Sequence, residues 1–98
     1  MAKASIYVMN LGKSVLKKYT KQHNHINVGT GTDITIKELS DIIKEVVGFK
    51  GEINFDSTKL DGVQRKLLNS QLINDLGWCP EVKLQHGLKE TYKKFLNN

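Results

Sequence analysis

Apolar residues recur at helical spacing in three stretches of the chain, and two shorter apolar runs read as strands. Ala4, Val8, Leu11, Val15 and Tyr19 fall three and four apart, which predicts a helix over residues 4–19. A polar connector, residues 20–25, separates it from the run Ile26, Asn27, Val28, read as a short strand that ends at Gly29-Thr30-Gly31-Thr32. The next helix has the clearest start and stop signals. Thr35 and Glu38 form a capping box, and Ile34 and Leu39 stand at staple positions. Ile36, Leu39, Ile43, Val46 and Val47 are the expected buried stripe, and Gly48 suits a left-handed ending. Residues 52–55 read as a second strand. Residues 70–76 read as a short helix capped by Asn69 or Ser70 and ended by Gly77, with Trp78 folding back on the core. Residues 84–96 read as a last helix with Leu84, Leu88, Tyr92 and Phe95 inward.

Strand, helix and strand make a βαβ unit with parallel strands and a right-handed crossover. The expected fold class is therefore α/β: a small βαβ-containing fragment with about four helices and two short parallel strands. In that geometry the loops after the two strands, residues 29–35 and 56–66, leave the same sheet edge. Two strands of three or four residues make a sheet too small to stand alone, which points to part of something larger.

Length allows one domain, since the chain has 98 residues. No apolar run approaches the roughly 20 residues needed to span a bilayer, so no membrane association is expected. A single cysteine, Cys79, permits no internal disulfide, and a cytoplasmic location is the expectation. The net charge of +5 admits an acidic partner. The lysines are dispersed, though, and no aromatic residues interleave with them, so nucleic acid is not expected.

Chemistry is sparse. Gly29-Thr30-Gly31 lacks the third glycine of a dinucleotide-binding turn. His23 and His25 sit two apart in a polar connector, and no set of residues has metal-ligand spacing, so no metal is expected. Cys79 has no histidine beside it in sequence. No catalytic set is identifiable. The segment 56–66 stands apart, because it concentrates three bases, two acids and a glycine after an apolar run. Asp61 can accept hydrogen bonds from sugar hydroxyls. Arg65 and Lys66 can donate charge-assisted hydrogen bonds to a diphosphate.

The ordered set His25-Ile26-Asn27-Val28-Gly29-Thr30-Gly31, Thr35-Ile36-Lys37-Glu38-Leu39, Val46-Val47-Gly48-Phe49-Lys50-Gly51, Asp61-Gly62, Arg65-Lys66-Leu67-Leu68 and Leu76-Gly77-Trp78 resembles the C-terminal, substrate-binding part of the GDP-L-fucose synthase family. That family lies in the extended short-chain dehydrogenase/reductase group. The resemblance runs from about Ala4 to Leu96 and implies part of an NADPH-dependent 3,5-epimerase and 4-reductase acting on GDP-4-keto-6-deoxy-mannose. It implies that residues 1–98 form one substrate-binding region and that the Rossmann domain, its NADP(H) and the catalytic residues lie outside this chain. This chain alone is then expected to be inactive. The implied partners are a GDP-sugar, that missing N-terminal domain and, for the parent, a second copy in a homodimer. Asp61 and Lys66 match family positions that contact the GDP-sugar. Leu60 and Gln64 stand where the family often has proline, and Asn69 where it often has aspartate, so the segment is less pre-ordered. Two alternatives stay open: the C-terminal region of another nucleotide-sugar epimerase or dehydratase, and a small basic interaction module without catalysis.

Overall fold

A computed structural model describes residues 1–21 and 25–98. The described residues hold five helices: α1 (Ala2–Met9), α2 (Lys13–Tyr19), α3 (Ile36–Val47), α4 (Gln71–Asp75) and α5 (Leu84–Leu96). They divide into two compact units. One comprises Met1–Asp33 with Lys66–Pro80, the other Ile34–Arg65 with Glu81–Asn98.

The α/β expectation is overturned: no strand occurs among the described residues. Residues 26–28 belong to one unit and residues 52–55 to the other. Each run is irregular, and Phe55 is exposed. Parallel strands are stable when both faces are covered and several pair together. Two runs of three or four residues supply neither condition. The inference that the loops 29–35 and 56–66 share a sheet edge loses its premise with the sheet.

In the first unit, the helix expected over residues 4–19 is two helices. Gly12 takes an extended conformation (φ −66°, ψ 147°) and caps α2. Leu11 N–H bonds the Val8 carbonyl at 3.1 Å, closing the end of α1. Periodicity runs through this break because the apolar spacing of three and four is kept across it. Ala4 and Ile73 are fully buried. The Tyr7 hydroxyl, on α1, donates to the Leu76 carbonyl at 2.6 Å. Asn69 Oδ1 accepts the Gln71 N–H at 3.0 Å, so Asn69 supplies the side-chain capping bond of α4. At the other end Gly77 N–H bonds Asn74 O at 3.0 Å and Trp78 N–H bonds Ile73 O at 3.1 Å. This pair of bonds is the Schellman ending, with Gly77 at φ +104°. Trp78 is half-buried.

In the second unit α3 packs on α5. The capping box is complete: Glu38 N–H donates to Thr35 Oγ1 at 3.1 Å, and Thr35 N–H donates to Glu38 Oε2 at 3.1 Å. Gly48, at φ +71°, ends the helix in a second Schellman motif, with Phe49 N–H on Lys44 O at 3.0 Å. The expected buried stripe divides. Leu39 and Val46 are half-buried, whereas Ile36, Ile43 and Val47 are exposed. On α5, Leu88 and Tyr92 are half-buried, while Leu84 and Phe95, expected inward, are exposed. The Tyr92 and Phe95 rings are stacked, 6.5 Å between centroids. One helix packed on one helix covers only part of each apolar face.

Candidate functional site

The segment 56–66 begins with a turn that its own side chains build. Asp56 Oδ1 accepts the Thr58 N–H at 2.9 Å and the Thr58 hydroxyl at 2.5 Å. These two bonds stabilise the charged carboxylate and hold its pKa below the ordinary value, with the hydroxyl bond the larger cause. Beyond the turn, every side chain from Lys59 to Lys66 is exposed, and Leu60 is 100% exposed. A leucine wholly in water contributes nothing to a core, so packing does not hold this position.

Asp61 and Arg65 lie in the second unit, and Lys66 opens the segment of the first unit that leads to α4. All three are exposed. Among the described residues neither Asp61 nor Lys66 makes a side-chain hydrogen bond or ion pair; Arg65 does interact. Asp61 is thus available as an acceptor and Lys66 as a charged donor. The stretch carries Lys59, Arg65 and Lys66 against Asp56 and Asp61, an excess of one positive charge. These residue types are the ones that suit an anionic, hydroxyl-bearing ligand.

Other candidate positions are less suited to chemistry. In the glycine turn, Thr30 Oγ1 bonds the Thr32 carbonyl at 3.0 Å and Gly31 sits at φ +77°, so the turn is closed on itself by its own hydroxyl. These residues do not fit a dinucleotide phosphate, which needs amides facing outward and a third glycine. Cys79 is a free, exposed thiol. No group of three His, Cys, Asp or Glu side chains among the described residues could hold a metal ion. His23 lies outside the described residues; His25 is exposed and has an interaction partner. No helix of the described residues is long and apolar enough to cross a membrane.

Two features were missed in the sequence. Tyr7 lies three residues after Ala4 on the same helix, and nothing in the local pattern marks its hydroxyl as a partner of a distant carbonyl. Ser70 is 4% exposed, and its hydroxyl has no hydrogen-bond partner among the described residues. Gly29 lies against it: a Cβ there would be 3.2 Å from Ser70 Oγ and 3.6 Å from Leu68 Cβ. Nothing in the local sequence separates this buried serine from the exposed capping serine that the pattern suggests.

Comparison with known proteins assigns the chain. No family model matches it. It is 50% identical over 99 residues to GDP-L-fucose synthase of Escherichia coli K12, a match that covers 100% of this chain and 31% of that protein. It is 53% identical over 74 residues to probable GDP-L-fucose synthase 1 of rice (Oryza sativa subsp. japonica), covering 76% of this chain and 23% of that protein. GDP-L-fucose synthase of Sinorhizobium fredii is 46% identical over 83 residues, 85% of this chain and 26% of that protein. These relatives are enzymes of nucleotide-sugar metabolism. Among them, it is the C-terminal part of GDP-L-fucose synthases that the chain matches. The chain spans about a third or less of the length of these curated relatives.

Proposed function

We propose that residues 1–98 act as the substrate-binding region of a GDP-L-fucose synthase, an NADPH-dependent 3,5-epimerase and 4-reductase that acts on GDP-4-keto-6-deoxy-mannose. The observation that carries this reading is the half identity to the E. coli enzyme along the whole chain. In this reading Asp61 accepts hydrogen bonds from hydroxyls of the ligand, and Arg65 and Lys66 hold its diphosphate. Their exposure supports those roles, since a ligand can reach all three. A charge-assisted bond from Lys66 to phosphate contributes roughly 1.5–3 kcal/mol.

NADP(H) is held by the portion of such an enzyme that this chain does not match, a Rossmann domain preceding it. The closed Thr30–Thr32 turn supports that division of labour. The same portion supplies the acid/base chemistry, so this chain alone does not turn over. The assembled enzyme is a cytoplasmic homodimer in this account.

The test is a chimera in which this chain replaces the matching C-terminal part of the E. coli enzyme. NADPH-dependent formation of GDP-L-fucose by the chimera is the expected result. A well-folded chimera that forms none would overturn the reading.

A further inference from the structure

Asp61 is the single aspartate of the sequence that precedes a glycine, and no asparagine precedes one. A glycine in that place has no Cβ to shield its amide nitrogen, and its backbone can swing that nitrogen towards the preceding side chain. The structure leaves the pair free to do so. Asp61, Gly62 and Val63 lie outside any helix, and Asp61 is exposed. The flanking Leu60 and Val63 are 100% and 69% exposed, so packing does not fix the pair from either side. A Cβ built on Gly62 meets nothing within 4 Å. Among the described residues, no hydrogen bond holds the Asp61 carboxyl or the Gly62 N–H.

The neighbouring candidates are arranged differently. Asp56 precedes Ser57, whose side chain crowds the amide nitrogen. Its Oδ1 is occupied by the Thr58 N–H and hydroxyl, which keep the carboxyl charged. Asn69 precedes Ser70, which is buried, and its Oδ1 accepts the Gln71 N–H. Each of these side chains is tied to the backbone beyond it, whereas Asp61 is not.

We propose that Asp61–Gly62 is a site of spontaneous isomerisation, at which Asp61 passes through a cyclic imide to isoaspartate, and that Asp56 and Asn69 are spared by their own turns. The Gly62 amide nitrogen attacks Asp61 Cγ of the protonated carboxyl. A C–N bond forms, the C–O bond to the carboxyl hydroxyl breaks, and the hydroxyl leaves with the amide proton as water. Water then opens the five-membered ring. Opening at the side-chain carbonyl restores aspartate. Opening at the main-chain carbonyl sends the chain through the former side chain and leaves a carboxylate directly on Cα. One water is lost and one regained, and nothing is oxidised or reduced. In the functional reading above, Asp61 meets ligand hydroxyls, so the isomer withdraws that acceptor and adds a methylene to the backbone beside Lys66. The isomerisation itself does not depend on that reading.

The experiment incubates the purified 98-residue chain in mildly acidic buffer, folded and in urea. Isoaspartate is then read with an isoaspartate methyltransferase and labelled S-adenosylmethionine, and the label is located by peptide mapping. Label should accumulate at position 61 without net change of mass. Its rate in the folded chain should lie within about threefold of that in urea, because an unheld segment opens at almost no cost. Asp56 and Asn69 should label in urea only. Gly62→Ala should slow labelling at 61 by about tenfold, since the added Cβ restricts the approach of the nitrogen. Asp61→Glu should abolish it, because the longer side chain closes a larger, less favoured ring. Position 61 unlabelled, or labelled more than about tenfold slower when folded than in urea, would overturn the proposal. So would a Gly62→Ala chain that labels at the wild-type rate, or label in the folded chain spread equally over 56, 61 and 69. None of these results bears on GDP-sugar binding, which the chimera tests separately.

Discussion

The Tyr7 hydroxyl lies 2.6 Å from the place a Cβ on Gly77 would occupy, while it donates to the carbonyl of the preceding residue, Leu76. Gly77 is also at φ +104°, so the position excludes a side chain on two grounds. Tyr7→Phe should destabilise the first unit by about 1 kcal/mol through the lost hydrogen bond. Gly77→Ala should cost about 1–3 kcal/mol through backbone strain, with the clash in addition. Combining the two relieves the clash, so the double variant should lose less than the sum. Urea unfolding of the three variants measures this; strict additivity would mean that the two residues do not press on each other.

The capping box makes a second prediction. Thr35→Ala removes the acceptor for Glu38 N–H and leaves Glu38 with half of its reciprocal pair. About 1 kcal/mol of helix stability should be lost. Thr35→Ser should retain most of it. Helical ellipticity followed through a thermal melt distinguishes the two.

Asp56 gives a pH dependence whose sign is fixed by its hydrogen bonds. Its pKa is lowered in the folded chain, by the Thr58 hydroxyl first and the Thr58 N–H second. The turn is therefore fully stabilised above the unfolded value, about 3.9, and loses that stabilisation as pH falls through the folded value. The Asp56 carboxyl should titrate below an ordinary aspartate by NMR, and Thr58→Val should move its midpoint upward. A midpoint unmoved by that substitution would show that the hydroxyl bond does not form.

This chain by itself should not oxidise NADPH with GDP-4-keto-6-deoxy-mannose. Its glycine turn is closed by Thr30 on the Thr32 carbonyl and lacks the third glycine of a dinucleotide-binding turn. Absorbance at the reduced-nicotinamide band should stay flat with purified chain. Turnover at a rate proportional to chain concentration would contradict the division of roles.

Signals carried within a few residues were legible in the sequence. The Thr35–Glu38 box, the Gly48 ending and the span of α5 all rest on contacts inside one helix, and the structure has each of them. The two strands were not legible in the same sense. A run such as Ile26, Asn27, Val28 has strand propensity, but a strand exists only through its neighbours, and none pairs with it. The stripe of α3 was read correctly as apolar and wrongly as buried, since periodicity says which face is apolar and not what covers it. The break at Gly12 was hidden because Leu11 and Val15 keep helical spacing across it. In the candidate site, the residue types in 56–66 raise the expectation of an anion-binding segment, whereas the Asp56–Thr58 turn needed coordinates. Tyr7 was invisible as a partner of Leu76 because 69 residues separate them.

If the segment 56–66 holds the GDP-sugar, calorimetric titration of the chimera with GDP reads it without the chemistry of turnover. Lys66→Ala leaves an exposed position, so the fold should lose no more than about 0.5 kcal/mol. Loss of a charge-assisted bond to phosphate, roughly 1.5–3 kcal/mol, should raise the dissociation constant by roughly 10- to 100-fold. Asp61→Asn, titrated alongside, should spare GDP if its partner is the hexose and weaken it if its partner is the ribose. An unchanged affinity for GDP in the Lys66→Ala chimera, with its melting temperature intact, would contradict the account and leave this segment a solvated connection.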